Sequence, residues 1–133
     1  MSNRSLSQRG FTLFEIIAVL TIMGVLAAIS VPTYKRYVIK ANEAVLKEDL
    51  YQMRKAIDDF FADKRSYPSS LEDLVEQRYL RRIPKDPITR SSDTWETVAP
   101  EPPEEGEPAE GEVFDVFSGS EKTSLDGSPY NQW

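Results

Sequence analysis

The chain reads as an α+β protein in which a long N-terminal α-helix packs on a small antiparallel β-sheet. Three observations predict this. Residues 11–31 are almost wholly apolar, and beyond Pro32 the apolar residues recur at helical spacing as far as residue 64. Two short stretches rich in β-branched and aromatic residues, 94–98 and 113–118, flank a Pro- and Glu-rich segment and read as paired strands. The 133-residue chain leaves about 100 residues outside the apolar run and the polar leader before it, enough for a small core if the long helix contributes to it.

Composition narrows the function. The chain carries 22 acidic and 16 basic residues, a net charge of −6 that argues against nucleic acid as a partner. It has no cysteine, hence no disulfide, thiol nucleophile or thiolate metal site. It also has no histidine, which removes the usual general base near neutral pH and the commonest metal ligand. These absences point away from an enzyme.

The polar leader, residues 1–10, carries Arg4 and Arg9 and no acid. Such a block favours a cytoplasmic N-terminus, with the rest of the chain across the membrane. Lys35, Arg36 and Lys40 beyond the apolar run oppose that bias. From 11 to 31 the polar side chains are Thr12, Glu15, Thr21 and Ser30, with Gly24 the single glycine. About 20 residues at 1.5 Å each match the ~30 Å hydrocarbon core of a bilayer. A charge within such a span costs a few kcal/mol near its centre and less near its edge, so Glu15 needs a reason.

The stretch Arg9-Gly10-Phe11-Thr12-Leu13-Phe14-Glu15 resembles the class III signal sequence of type IV pilins and type II secretion pseudopilins. The resemblance implies cleavage between Gly10 and Phe11 by a prepilin peptidase, N-methylation of Phe11, and an acidic fifth residue at Glu15. A carboxylate near the start of a membrane helix is best tolerated when a cation neutralises it. The new amino group of Phe11 on a neighbouring copy is such a cation, and the pair sets vertical register in a filament. The plain alternative is an acid close enough to the interface to reach water. A rival reading is an ordinary secretory signal cleaved after Ala28-Ile29-Ser30, but Glu15 interrupts its apolar region and the run is long for one.

Pro32 removes the donor that would bond the carbonyl of Ala28, and with Gly24 it marks 24–32 as the weak part of the helix. In the resembled family the equivalent stretch loosens within the filament. Downstream, Leu46, Leu50, Met53, Ile57, Phe60 and Phe61 form one stripe, which Ala41, Ala44 and Val45 extend upstream. Lys47, Glu48, Arg54, Lys55, Asp58 and Asp59 fall largely off it. The helix over 11–64 is then about 80 Å long. Tyr67-Pro68 breaks it, and Ser69-Ser70-Leu71-Glu72 caps a short second helix that ends at Tyr79-Leu80. Two prolines stiffen the connection Ile83-Pro84-Lys85-Asp86-Pro87. This order of features resembles the major pseudopilin of type II secretion.

Residues 99–112 hold four prolines, two glycines and six glutamates without a basic residue, so they account for the whole formal charge of −6. They cannot bury a core and read as a mobile, solvated loop. The sharper alternative is a docking surface for a basic partner, or a loop holding cations loosely. Val113-Phe114-Asp115-Val116-Phe117-Ser118 and the closing Tyr130-Asn131-Gln132-Trp133 also resemble the major pseudopilins, whose chain end packs on the sheet. Those proteins commonly bind calcium in the loop after this strand. Calcium takes six or more oxygens, and between 118 and 127 the carboxylates are only Glu121 and Asp126, so these are weak metal candidates. Ser118, Ser120, Thr123 and Ser124 offer closure by hydrogen bonds instead.

The expected organisation is a leader at 1–10, a transmembrane and filament-core helix at 11–31, an amphipathic half at 32–66, and a small periplasmic region at 67–133. The resemblance implies a single-pass inner-membrane protein that polymerises into a pseudopilus for type II secretion. Its partners would be other copies, the lipid bilayer, prepilin peptidase, an inner-membrane assembly platform and minor pseudopilins. The alternatives are a type IV pilin of a surface fibre, whose major forms often carry a disulfide, and a membrane-anchored binding module using the acidic loop.

Overall fold

The computed structural model describes residues 10–133, so the leader reading that rests on Arg4 and Arg9 lies outside the described residues. The chain forms two compact units, Met1–Val38 and Ile39–Trp133. Helix α1, Leu13–Lys64, has 52 residues and contributes to both.

In the first unit every large apolar side chain of α1 is exposed, among them Phe14 at 79%, Leu20 at 61% and Ile29 at 63%. This part of α1 is long and apolar enough to cross a membrane, and none of its apolar window is buried. Both threonine hydroxyls within this part of the helix are satisfied by it: Thr21 donates to the Ile17 carbonyl at 2.7 Å and Thr33 to the Ile29 carbonyl at 2.9 Å. α1 is helical through Gly24 and Pro32, so the predicted weak point is closed in this conformation.

In the second unit the stripe becomes a core. Leu46, Leu50, Met53, Ile57 and Phe60 are buried as their spacing predicts, and Ala56 joins them. Ala41, Ala44 and Val45, expected to extend the stripe, are exposed instead. At 100° per residue they sit roughly 100–160° away from the Leu46–Leu50 line. Arg54 corrects the sequence reading in the other direction. It lies beside the buried line, donates to Asp115 at 2.8 Å, and donates to the backbone oxygens of Val116 and Trp133 at 3.0 Å each. One guanidinium therefore ties α1 to the second strand and to Trp133.

Helix α2, Leu71–Glu76, starts where Ser70 accepts the Asp73 N–H. It buries Leu71 and Leu74. It ends three residues before the expected Tyr79, because Arg78 turns left-handed at φ 65°. The Arg78 N–H then bonds the Val75 carbonyl and the Tyr79 N–H the Leu74 carbonyl, closing the last turn.

Strands β1, Glu96–Val98, and β2, Asp115–Phe117, pair antiparallel with Thr97 opposite Val116. They are shorter than expected. Trp95, just before β1, is buried and donates its indole N–H to the Pro84 carbonyl at 2.7 Å. Between the strands, residues 99–112 contain no helix or strand. The ends of this segment are held: Phe114 N–H bonds Val98 at 2.7 Å, and Tyr67 N–H bonds Glu110 at 2.7 Å. Gly111, at φ 107°, passes so close to the Tyr67 carbonyl that a Cβ there would collide with it. A 3₁₀ turn, Tyr130–Gln132, packs against β2 and brings Trp133 under Lys47 of α1, whose Nζ is 4.8 Å from the indole centroid.

Asp86 is the buried polar centre of this unit, with 0% exposure. Its carboxylate accepts the Ser118 hydroxyl at 2.5 Å and the backbone N–H groups of Ile88 at 2.8 Å and Thr89 at 3.4 Å. The Asp86 N–H in turn bonds the Ser91 carbonyl at 3.0 Å. The proline-rich connection is thus an anchored loop as well as a stiff one. Removing the carboxylate strands three donors, so Asp86→Ala should cost about 3 kcal/mol. Denaturant unfolding of the detergent-solubilised chain should also show a coupling of about 1–3 kcal/mol between Asp86→Ala and Ser118→Ala. Additive effects would mean that the two side chains do not act together.

Candidate functional site

The N-terminal motif stands on exposed backbone. Gly10 and Phe11 are both exposed, Phe11 at 84%. A Cβ added to Gly10 would meet nothing within 4 Å, and neither would one at Gly24. Packing among the described residues therefore demands neither glycine.

Two residues on, α1 begins with a reciprocal cap. The Thr12 hydroxyl accepts the Glu15 N–H at 3.2 Å, and Glu15 Oε2 accepts the Thr12 N–H at 3.1 Å. The Thr12 carbonyl receives the Ile16 N–H at 3.1 Å. This is a capping box, in which two donors left over at a helix start are satisfied by side chains. A negative carboxylate is also favoured there by the helix dipole. The charge of Glu15 points to an intermolecular cation or to interfacial water, and Thr12-x-x-Glu15 is also the signature of this cap. In the uncut chain the Phe11 nitrogen is a neutral peptide nitrogen, so the ammonium expected to face Glu15 exists only after cleavage at Gly10. Glu15 is therefore exposed, pre-oriented by Thr12, and able to accept a second donor on its other oxygen.

The second place the sequence singled out is the loop that carries Asp126. Its carboxylate accepts the hydroxyls of Ser124 and Ser128 and the Ser128 N–H, the latter two at 2.6 Å and 2.9 Å. These bonds, that of Ser124 foremost and with Lys47 nearby, hold the Asp126 carboxyl down to about 2. From α1, Glu43 accepts the Leu125 N–H at 2.9 Å and the Tyr130 hydroxyl at 2.8 Å. Burial first, then Glu43, pushes the Tyr130 phenol up to about 12. Serines 118 and 120 cap neighbouring N–H groups in the same loop. Asp126 is engaged by three donors and Glu121 is exposed outside the network. Among the described residues no group of three or more acidic side chains is placed to hold a metal ion.

The pH dependence of this loop has a definite sign. A depressed carboxyl contributes stability that is fully present above about 3.8 and is lost as pH falls through about 2. Urea midpoints should therefore drop between pH 4 and 2 more steeply for the unsubstituted chain than for Asp126→Asn, and millimolar calcium should leave both profiles unchanged. Equal slopes would remove Asp126 from the account of loop closure.

Comparison with known proteins gives the motif a context. Residues 5–31 match the family model of the prokaryotic N-terminal methylation motif. The chain is 34% identical over 100 residues to type II secretion system core protein G of Klebsiella michiganensis, covering 63% of this chain and 70% of that protein. It is 35% identical over 96 residues to the protein of the same name from Pseudomonas aeruginosa, covering 60% and 68%. A shorter match, 39% over 56 residues, reaches the type IV major fimbrial protein FimA of Dichelobacter nodosus, covering 42% of this chain and 36% of that one. No solved structure matches the chain. With the methylation motif at its N-terminal end and about 70% of these relatives' length covered, the chain belongs to the type II secretion system core protein G family, the major pseudopilins.

Proposed function

We propose that this pseudopilin is made as a precursor, cut between Gly10 and Phe11 by a prepilin peptidase, methylated on Phe11, and polymerised through its apolar helix into a periplasmic filament. The observation that carries this reading is the exposed apolar surface of residues 13–31, which no other described residue covers. Leaving such a face bare in water is incompatible with a soluble monomer; a bilayer before assembly and other copies after it supply the missing contacts. The chain acts as a structural subunit on which an assembly platform and minor pseudopilins work, and not as a catalyst. The inner membrane holds it by one span, with the unit Ile39–Trp133 on the periplasmic side.

Assembly places the Phe11 ammonium of one copy against the Glu15 oxygen that Thr12 leaves unused on another. Capping and charge pairing are separable by substitution. Glu15→Gln keeps an acceptor for the Thr12 N–H and removes the charge; Glu15→Ala removes both. Both variants should insert and be cleaved, and both should assemble poorly. Normal filaments from Glu15→Gln, with a defect confined to Glu15→Ala, would reduce Glu15 to a helix cap worth about 1 kcal/mol.

The match to a fimbrial protein keeps a surface fibre as the second reading. Intact-mass analysis of chain isolated from membranes, combined with electron microscopy of overexpressing cells, tests both. A mature chain that starts at methylated Phe11 and forms short filaments based in the periplasm is expected. A chain starting at Val31 would overturn the processing reading, and long fibres on the cell surface would favour the fimbrial one.

A further inference from the structure

Immediately beyond the apolar span, four successive residues of α1 carry head groups suited to a membrane surface: Tyr34, Lys35, Arg36 and Tyr37. All four are exposed, the two tyrosines at 70% and 68%. At 100° per residue, four consecutive positions ring the whole helix circumference. A protein partner covers one face of a helix, whereas lipid headgroups surround it. No acid lies between Glu15 and Glu43, so no carboxylate of this stretch competes for the two cations.

Depth agrees with this placement. If residues 11–31 fill the hydrocarbon layer, Tyr34 lies about 4–5 Å and Tyr37 about 9 Å beyond it along the axis. The headgroup zone of each leaflet is roughly 5–8 Å thick. Side chains on a helix lean toward its N-terminus, which brings all four back into that zone. Cations at this end also oppose the charge bias that orients the span, so their presence calls for a local attraction.

We infer that Tyr34, Lys35, Arg36 and Tyr37 form a collar that binds the phosphate groups of anionic phospholipids in the leaflet at the C-terminal end of the span, an inference that rests on the membrane reading of residues 11–31. The tyrosines seat the ring at the interface and the two cations select anionic over zwitterionic lipid. The collar fixes the depth of the subunit before assembly, and filament growth has to release these lipids as each subunit leaves the bilayer.

The test uses the full chain reconstituted in vesicles of phosphatidylcholine alone or mixed with phosphatidylglycerol. Flotation after carbonate washing reports insertion, and spin-labelled lipids report which headgroup collects at the protein. Insertion into both vesicle types is expected, with phosphatidylglycerol favoured about fivefold per cation and so about 30-fold for the pair. The preference should vanish in Lys35→Gln/Arg36→Gln and persist in Arg81→Gln/Arg82→Gln, which makes the same charge change at exposed positions of the second unit. Insertion without a headgroup preference, or a preference that survives in Lys35→Gln/Arg36→Gln, overturns the collar and leaves the span intact. A chain that fails to float with either vesicle overturns the span itself.

Discussion

The structure depends on one unmet demand: among the described residues, nothing buries the apolar side chains of residues 13–31. Each fully buried side chain of this kind gains about 1.5–3 kcal/mol over an exposed one, so the total far exceeds the stability of a small domain. The helix therefore has to be covered from outside, by lipid or by other copies. Any charge in that stretch has to be justified locally, and Glu15 is: it sits at the helix start, completes a cap with Thr12, and keeps one carboxylate oxygen outside that cap.

The same helix meets the opposite demand in the second unit. There one line of side chains from Leu46 to Phe60 forms the floor of a core that α2, Trp95, Val113, Val116 and Tyr130 complete. Its polar neighbours are used as ties. Glu43 holds the turn that contains Leu125 and Tyr130, Lys47 lies over Trp133, and Arg54 reaches β2 and Trp133 together. A two-stranded sheet is marginal by itself, so these ties and the Asp86–Ser118 bond supply order that so few strands cannot. The acidic segment 99–112 needs little of this support, since its ends are pinned and its glutamates face water.

The fold was largely legible in the sequence because its main signals are periodic. The apolar run, the stripe at 46, 50, 53, 57 and 60, the Ser70 cap and the two strands all follow from local pattern. What escaped was of two kinds. Ala41, Ala44 and Val45 look like an extension of the stripe when spacing is judged loosely, but their angular positions put them on another face. Arg54, Asp86 and Glu43 act over separations of roughly 30 to 90 residues in the chain, and no local pattern encodes a partner so distant. The Thr12 cap belongs to neither kind. Its Thr-x-x-Glu signature is local and legible, and the same Glu15 carries both the cap and the charge.

If other copies of the chain bury residues 13–31, contacts between copies run along this stretch. Because the chain has no cysteine, single cysteines can be placed along this stretch, as in Leu20→Cys, and at exposed positions of the second unit, as in Glu72→Cys. Cross-linking with a flexible bismaleimide, in membranes with and without the secretion machinery, reads the interface directly. Dimers through Leu20→Cys that appear only when the machinery is present are predicted. Cross-links confined to the second unit, with none along 13–31, would contradict the account.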